Sequence, residues 1–348
     1  AIVANGPNSN GEKAVLFIYD LNTGALIKKI DTLEGTVANP NGLSSPVGWD
    51  DDNDGDLDYI YSGDLHGNMW RFDVRNGNPN NWVLAAQRTI LHTALGPTSV
   101  PQPIYGRPTV ARDPTTYKRW VFFGTGRFLT TGDSNDQRTQ SWYGIQDNAV
   151  NIATRTDLQL RKIAVAGTIT IFLRDPTTNA LILDGGGNPI SIGTRAVRGF
   201  EPAAPLPPTK FGWYIDLVSP PTPPGTQEGE RMVGDQRVTD NILLAASIIP
   251  GSTGCTVNGR GFINAIDAFT GSSLSSANFD VDGDGEYDDD TIGGVPVGSV
   301  DIGVGMGTNP LLIGNVLIQS GSTGNLRSIR QRDSNRIGRI SWREVLGN

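Results

Sequence analysis

The chain has 348 residues and a formal net charge of −8. That length suits two ordinary domains or one large all-β domain, and 44 glycines with 22 prolines favour the turn-rich β alternative. An acidic chain without a basic stripe argues against nucleic acid, a single cysteine (Cys255) excludes a disulfide framework, a zinc cluster and a CxxC redox pair, and no stretch approaches the roughly 20 apolar residues of a membrane helix.

Residues 1–6 carry neither a basic start nor a cleavage pattern and read as mid-strand, so an excised domain of a longer protein is expected. The run 17–24 ends a strand in the order apolar, Asp, apolar, any residue, Thr or Asn, Gly. Copies recur at 69–77 and 264–271, and a weaker relative at 213–217 lacks the glycine. The Asp can hydrogen-bond the backbone that follows it and the glycine accepts a turn with φ > 0. Repeated strand-end turns of this kind are a propeller signature.

Between the first two copies lies Asp50-Asp51-Asp52-Asn53-Asp54-Gly55-Asp56-Leu57-Asp58. Carboxylates at positions 1, 3, 5 and 9 surround a glycine at position 6, the front of an EF-hand-type loop. Calcium takes six to eight oxygens at about 2.3–2.6 Å, and such spacing aims alternate side chains at one centre. Asp50, Asp52, Asp54 and Asp58 are the expected side-chain ligands, with Asp56 contributing its carbonyl. Position 12 is Tyr61 rather than glutamate, and 59–64 reads as a strand, so Asp58 is expected to close the cage at a strand mouth. A solvated acidic turn is the plainer account, but each adjacent carboxylate pair repels by about 1 kcal/mol even in water.

Apolar runs at 119–124, 141–145, 242–248 and 311–318 read as strands covered on both faces. Residues 151–198 break the rhythm and read as an insertion between blades, with a helical stretch at 156–161 and a turn at 184–189. The Pro-rich runs 201–208 and 219–224 read as connections. A second acidic loop spans 280–288, where Asp280, Asp282, Asp284, Glu286 and Asp288 repeat the spacing. The glycine run 303–307 lacks the strand-turn-helix setting of a phosphate loop and reads as tight backbone packing. Arginines at 327, 330, 332, 336, 339 and 343 read as solvent-facing positions of a closing strand rather than a docking surface. His66 and His92 stand in no HExxH setting, and there is no G-x-S-x-G elbow or Walker A motif. No residue set assigns a catalytic acid, so a non-enzyme is expected.

Residues 5–9, the acidic loop running into 61–73, the stretch 122–129, the segments 212–217 and 229–231, and the closing run 339–344 together resemble the C-terminal domain of the PilY/PilC family of type IV pilus-associated proteins. The resemblance spans nearly the whole chain. It implies a modified, seven-bladed β-propeller as a single domain over 1–348. It implies exposure at the cell surface or pilus tip of a Gram-negative bacterium, after export through the periplasm and outer membrane. Pilins or minor pilins, and a host receptor or surface, are the implied partners. The first loop is implied to hold Ca2+ through Asp50, Asp52, Asp54, Asp56 and Asp58 and to set the balance of pilus extension and retraction. Two other readings stand beside this one. A quinoprotein-like dehydrogenase shares the strand-end repeat, but adjacent paired cysteines often accompany the quinone there and this chain has one cysteine. A purely structural calcium scaffold is the third.

Overall fold

A computed structural model describes residues 1–147, 152, 154–220, 227–251 and 259–333. Cys255, Arg336, Arg339, Arg343 and the run 339–344 lie outside the described residues. Among the described residues there is no α-helix, only the 3-10 turns Thr131–Asn135 and Arg155–Asp157, and hence no helix long and apolar enough to cross a membrane.

Five sheets carry the fold. The first pairs Ile2–Ala4, Val15–Tyr19 and Leu26–Asp31. The second pairs Val47–Trp49, Tyr59–Gly63, Asn68–Asp73 and Arg88–Thr93. The third runs, in spatial order, Thr109–Arg112, Arg119–Gly124, Ser141–Asp147, Gly212–Asp216 and Gln159–Arg161. The fourth runs Gln236–Thr239, Ile242–Ile249, Arg260–Asp267, Ser299–Val300, Ser191–Phe200 and Ile163–Phe172. The fifth runs Leu311–Ile313, Val316–Ser320, Leu326–Gln331 and Phe279–Asp280. A short ribbon, Thr291–Ile292 with Val295–Pro296, packs beside the fourth.

The cores lie between consecutive sheets. Leu16 and Ile30 of the first sheet meet Ile60, Trp70 and Phe72 of the second. Tyr59 and Tyr61 of the second meet Val121, Phe123 and Tyr143 of the third. Trp120, Phe122, Trp142 and Trp213 of the third meet Leu243 and Ile266 of the fourth. Val197, Ile263 and Ala265 of the fourth meet Phe279, Leu317 and Ile329 of the fifth. Strand 119–124 shows why the sequence has no polar alternation: successive side chains point to opposite faces, and both faces are covered. Each fully buried large apolar side chain stabilises this stacking by about 1.5–3 kcal/mol.

A cavity of about 470 Å³ is lined by Val3, Leu43, Tyr105, Val233 and Asn309 among others. Each of these sits in, or just before, the edge strand that opens one of the five sheets. Edges from five sheets converging on one cavity define a radial, propeller-type architecture. The described residues supply five radial sheets where seven blades were expected.

Two of the three strand-end turns form as expected, whereas in the copy at 69–77 Asp73 Oδ1 accepts the Arg75 N–H at 3.2 Å but Gly77 does not take a positive φ. Asp20 Oδ1 accepts the backbone N–H groups of Asn22 and Thr23, and Gly24 takes φ +70°. Asp267 does the same for Phe269 and Thr270 before Gly271 at φ +68°. The stretch 156–161 is not helical. It is the end of a single 3-10 turn followed by strand Gln159–Arg161, which pairs in parallel with Gly212–Asp216. The stretch 151–198 is largely the hairpin Ile163–Phe172 with Ser191–Phe200, ten residues a side, whose second strand runs two residues past it.

Candidate metal centres

The first acidic loop joins Val47–Trp49 to Tyr59–Gly63, two paired strands of the second sheet. Asp50 organises it: Oδ1 accepts the N–H of Asn53 at 2.6 Å and Oδ2 that of Gly55 at 2.9 Å. Asn53 at φ +61° and Gly55 at φ +97° supply the reversal. Asp52 Oδ1 accepts Asp54 N–H at 3.2 Å, and Asp54 Oδ1 accepts Asp56 N–H at 2.9 Å. Asp58 Oδ2 accepts Asp51 N–H at 2.6 Å, which closes the loop on the strand mouth.

Asp50, Asp52 and Asp58 each bring one carboxylate oxygen within 4.8 Å of the others. Asp54 stays outside that trio and is exposed, as is the Asp56 side chain. Asp51, at position 2, turns to a different task. Its carboxylate accepts Trp49 Nε1–H at 2.8 Å and pairs with Arg112 at 2.6 Å and Arg119 at 2.7 Å, both on the third sheet. Burial works to raise the Asp51 carboxyl, but Trp49 and the two guanidinium groups outweigh it and hold it below the usual range. Arg119 also pairs with Asp147 at 3.0 Å and lies 4.0 Å over the Tyr59 ring, while Arg71 reaches Asp147 from the second sheet at 2.7 Å. The loop is thereby pinned to the seam between two sheets.

The second loop repeats the design. Asp280 accepts Gly283 N–H at 2.8 Å and Gly285 N–H at 3.2 Å through its two oxygens. Asp282 accepts Asp284 N–H at 3.1 Å, and Asp284 accepts Glu286 N–H at 2.7 Å. Asp280, Asp282 and Asp284 place one oxygen each within 4.8 Å of one another. The closing residue differs from the expectation. Asp288 has a side chain 81% exposed and pairs with Arg332, while the exposed Glu286 joins no cluster. Asp290 makes the loop-closing hydrogen bond that Asp58 makes in the first loop, its Oδ2 accepting Val281 N–H at 3.0 Å, but it stands outside the carboxylate trio. Two extra residues in the loop move the closing carboxylate from position 9 to position 11.

The carboxylates of this second cluster crowd one another, although Arg174 pairs with Asp282 and Asp284. Burial, then the neighbouring Asp284 carboxylate, raises the Asp282 carboxyl. Burial, reinforced by Asp282 and Asp280, pushes Asp290 up to about 7. A carboxyl raised to about 7 keeps its proton in the folded chain while the unfolded chain releases it near 4. Its contribution therefore makes the metal-free fold less stable as pH rises from about 4 to about 7, and is constant above. Asp290→Asn is expected to flatten that slope in urea titrations with chelator at about pH 5 and about pH 7.5, and an unchanged slope would show that the carboxylates are not crowded.

Both loops offer only hard oxygen donors. Three converging carboxylates around a glycine turn suit a hard divalent cation of calcium's size, and nothing in either set suits zinc or copper. The histidines join neither cluster. His66 Nε2 lies 3.2 Å from the Pro40 carbonyl. His92 is buried with Nδ1 2.8 Å from the Ile152 carbonyl, and burial pushes its pKa down to about 4.

Stacked radial sheets carrying two oxygen-lined acidic loops place the chain in the class of β-propellers. The family model described as the PilY1 beta-propeller domain matches residues 1–163. A type IV pilus biogenesis factor PilY1 homolog from Xylella fastidiosa is 31% identical over 349 residues, covering 99% of this chain and 25% of that protein. The type IV pilus biogenesis factor PilY1 of Pseudomonas aeruginosa is 27% identical over 388 residues, covering 99% of this chain and 31% of that protein. The crystal structure of the Pseudomonas aeruginosa PilY1 C-terminal domain aligns with a TM-score of 0.74 at 25% identity, over 95% of this chain and 69% of that one. In sequence and in fold the chain is similar to the C-terminal domain of the PilY/PilC family. It spans about a quarter to a third of the curated relatives it matches. Those relatives are named as pilus biogenesis factors, not enzymes.

Proposed function

We propose that this chain is a calcium-binding, non-enzymatic domain of a type IV pilus biogenesis and adhesion protein, and that calcium occupancy sets the balance of pilus extension and retraction. The observation that carries this reading is the convergence of Asp50, Asp52 and Asp58 in a loop tied through Asp51 to Arg112 and Arg119 of the next sheet. An ion held there would fix the geometry of a seam between blades, and a seam is a physical route from occupancy to a partner surface. Asp54 and the Asp56 carbonyl would complete the first cage. In the second, Asp280, Asp282 and Asp284 would act with Asp290, and Glu286 and Asp288 are the weaker candidates. The names of the relatives support pilins or minor pilins as partners and a pilus-associated, extracellular location. Adhesion to a host surface and a part in twitching motility extend that reading. They do not favour the quinoprotein dehydrogenase.

One propeller domain over 1–348, with 151–198 inserted between blades, is part of the proposal. A single cavity shared by sheets from both ends of the chain supports it. A ring of seven would add two blades to the five radial sheets described. The test is made in the bacterium that carries the chain. Asp50→Ala in the whole protein is expected to change the number of surface pili and twitching while protein abundance holds. Unchanged piliation at unchanged abundance would contradict a regulatory role for the loop.

A further inference from the structure

The two loops differ in what faces their carboxylates. In the first, among the described residues, no basic side chain pairs with Asp50, Asp52 or Asp58, and the arginines reach Asp51 instead. In the second, Arg174 enters from the far end of the hairpin Ile163–Phe172 with Ser191–Phe200. Its Nη2 lies 3.3 Å from Asp282 Oδ2 and 3.5 Å from Asp284 Oδ2. Those two oxygens are the ones the loop leaves free, since each Oδ1 already accepts a backbone N–H of the turn. Asn179, from the same hairpin turn, donates to the Asp284 carbonyl, and Arg195 on the returning strand donates to the Val281 carbonyl.

We propose that Arg174 is a tethered cation that competes with a divalent ion for Asp282 and Asp284, so that filling the second loop releases the hairpin turn at 174–179. The inference rests on the reading of 280–290 as a calcium loop. A calcium ion needs carboxylate oxygens at about 2.3–2.6 Å, and a guanidinium nitrogen shared between the same two oxygens stands in that direction. Either the arginine withdraws or the ion binds against a like charge. Beyond the hydrogen bonds of its own turn, Asn179 is held through the Asp284 carbonyl of the same loop, so it leaves with the turn. The first loop has no such competitor and fills at lower calcium. The pair therefore responds to calcium at two thresholds, the second marked by movement of the hairpin.

The test uses the 348-residue chain with the first loop disabled by Asp52→Asn, titrated with calcium alone by calorimetry. Adding Arg174→Gln is expected to tighten the remaining site by about tenfold, as removal of one like charge beside a divalent ion demands. Hydrogen exchange supplies a second readout. In the Arg174 chain calcium should speed exchange of the backbone at 174–179, and in the Arg174→Gln chain exchange should be fast without calcium. Equal affinities in the two chains, or calcium that slows exchange at the turn, would overturn the competition. No calcium heat in either chain would remove the second loop as a calcium site, and the inference with it. Arg174 is partly exposed at a hairpin end, and matching urea midpoints of the two chains confirm that both are folded.

Discussion

Glu230→Gln is expected to destabilise the chain by about 3–5 kcal/mol, the largest single effect the structure implies outside the apolar cores. Glu230 and Arg198 form a bidentate pair, Nη1 to Oε2 at 2.6 Å and Nη2 to Oε1 at 2.8 Å, with side chains 2% and 1% exposed. Ser247 donates to Glu230 Oε1 at 2.5 Å, Arg198 Nη2 donates to Asn264 Oδ1 at 3.2 Å and to Ser299 Oγ at 3.1 Å, and the guanidinium lies 3.7 Å over the Phe262 ring. These partners come from four strands of the fourth sheet and from the segment before its edge strand, so the pair holds the sheet's register at its centre. Removing one charge leaves the other buried without compensation. Burial alone would raise the Glu230 carboxyl, but Arg198 outweighs it and holds it below the ordinary value of 4.5. The pair's contribution is therefore complete above the unfolded value and is lost as pH falls through the lower folded one. Urea midpoints of the two chains at neutral pH check the size of the effect. A loss under about 1 kcal/mol would mean the pair's desolvation had cancelled its attraction.

The second large effect is on calcium-dependent melting. One site at a hundredfold excess of calcium over Kd stabilises the fold by about 2.7 kcal/mol. With unfolding entropy near 2.1 cal/mol/K per residue, that is about 4 °C for a chain of this length. The wild-type chain is expected to melt higher in calcium than in chelator by that amount for each site filled. Asp52→Asn keeps an oxygen to accept Asp54 N–H but removes a ligand charge, and charge count sets calcium affinity. It should lose the share of the first loop, and Asp52→Asn with Asp282→Asn should lose the whole shift. The full shift persisting in that double variant, read by differential scanning calorimetry, would place the stabilising ion elsewhere.

The first loop was legible because local physics determines it. Alternating aspartates and Gly55 encode the turn within nine residues, and Asp58 closes it where the next strand begins. In the second loop the hydrogen bonds at the front repeat those of the first, while the turn is closed by Asp290 rather than Asp288. The usable signal was position rather than spacing: Asp290 directly precedes strand Thr291–Ile292, as Asp58 directly precedes Tyr59–Gly63. Two further strand-end turns escaped notice, at Asp113 and Asp175. Each reads Asp-Pro-Thr-Thr, and the glycine is replaced by Tyr117 at φ +59° or Asn179 at φ +60°. Strand 119–124 was recognised from its apolar run because both faces are buried, whereas 156–161 was misjudged because its strand forms only against Gly212–Asp216, some fifty residues on. The partners Arg112, Arg119 and Arg174 were beyond reach for the same reason. Each meets its loop only after the sheets have stacked, and no local pattern marks the encounter.

The most direct test of the account is a calcium titration by calorimetry of the calcium-stripped 348-residue chain. The expected result is two calcium ions bound per chain, one of them lost in Asp50→Ala, with magnesium at the same concentration failing to displace them. A stripped, folded chain that takes up no calcium would contradict the assignment of both loops, and with it the proposal that calcium governs this domain.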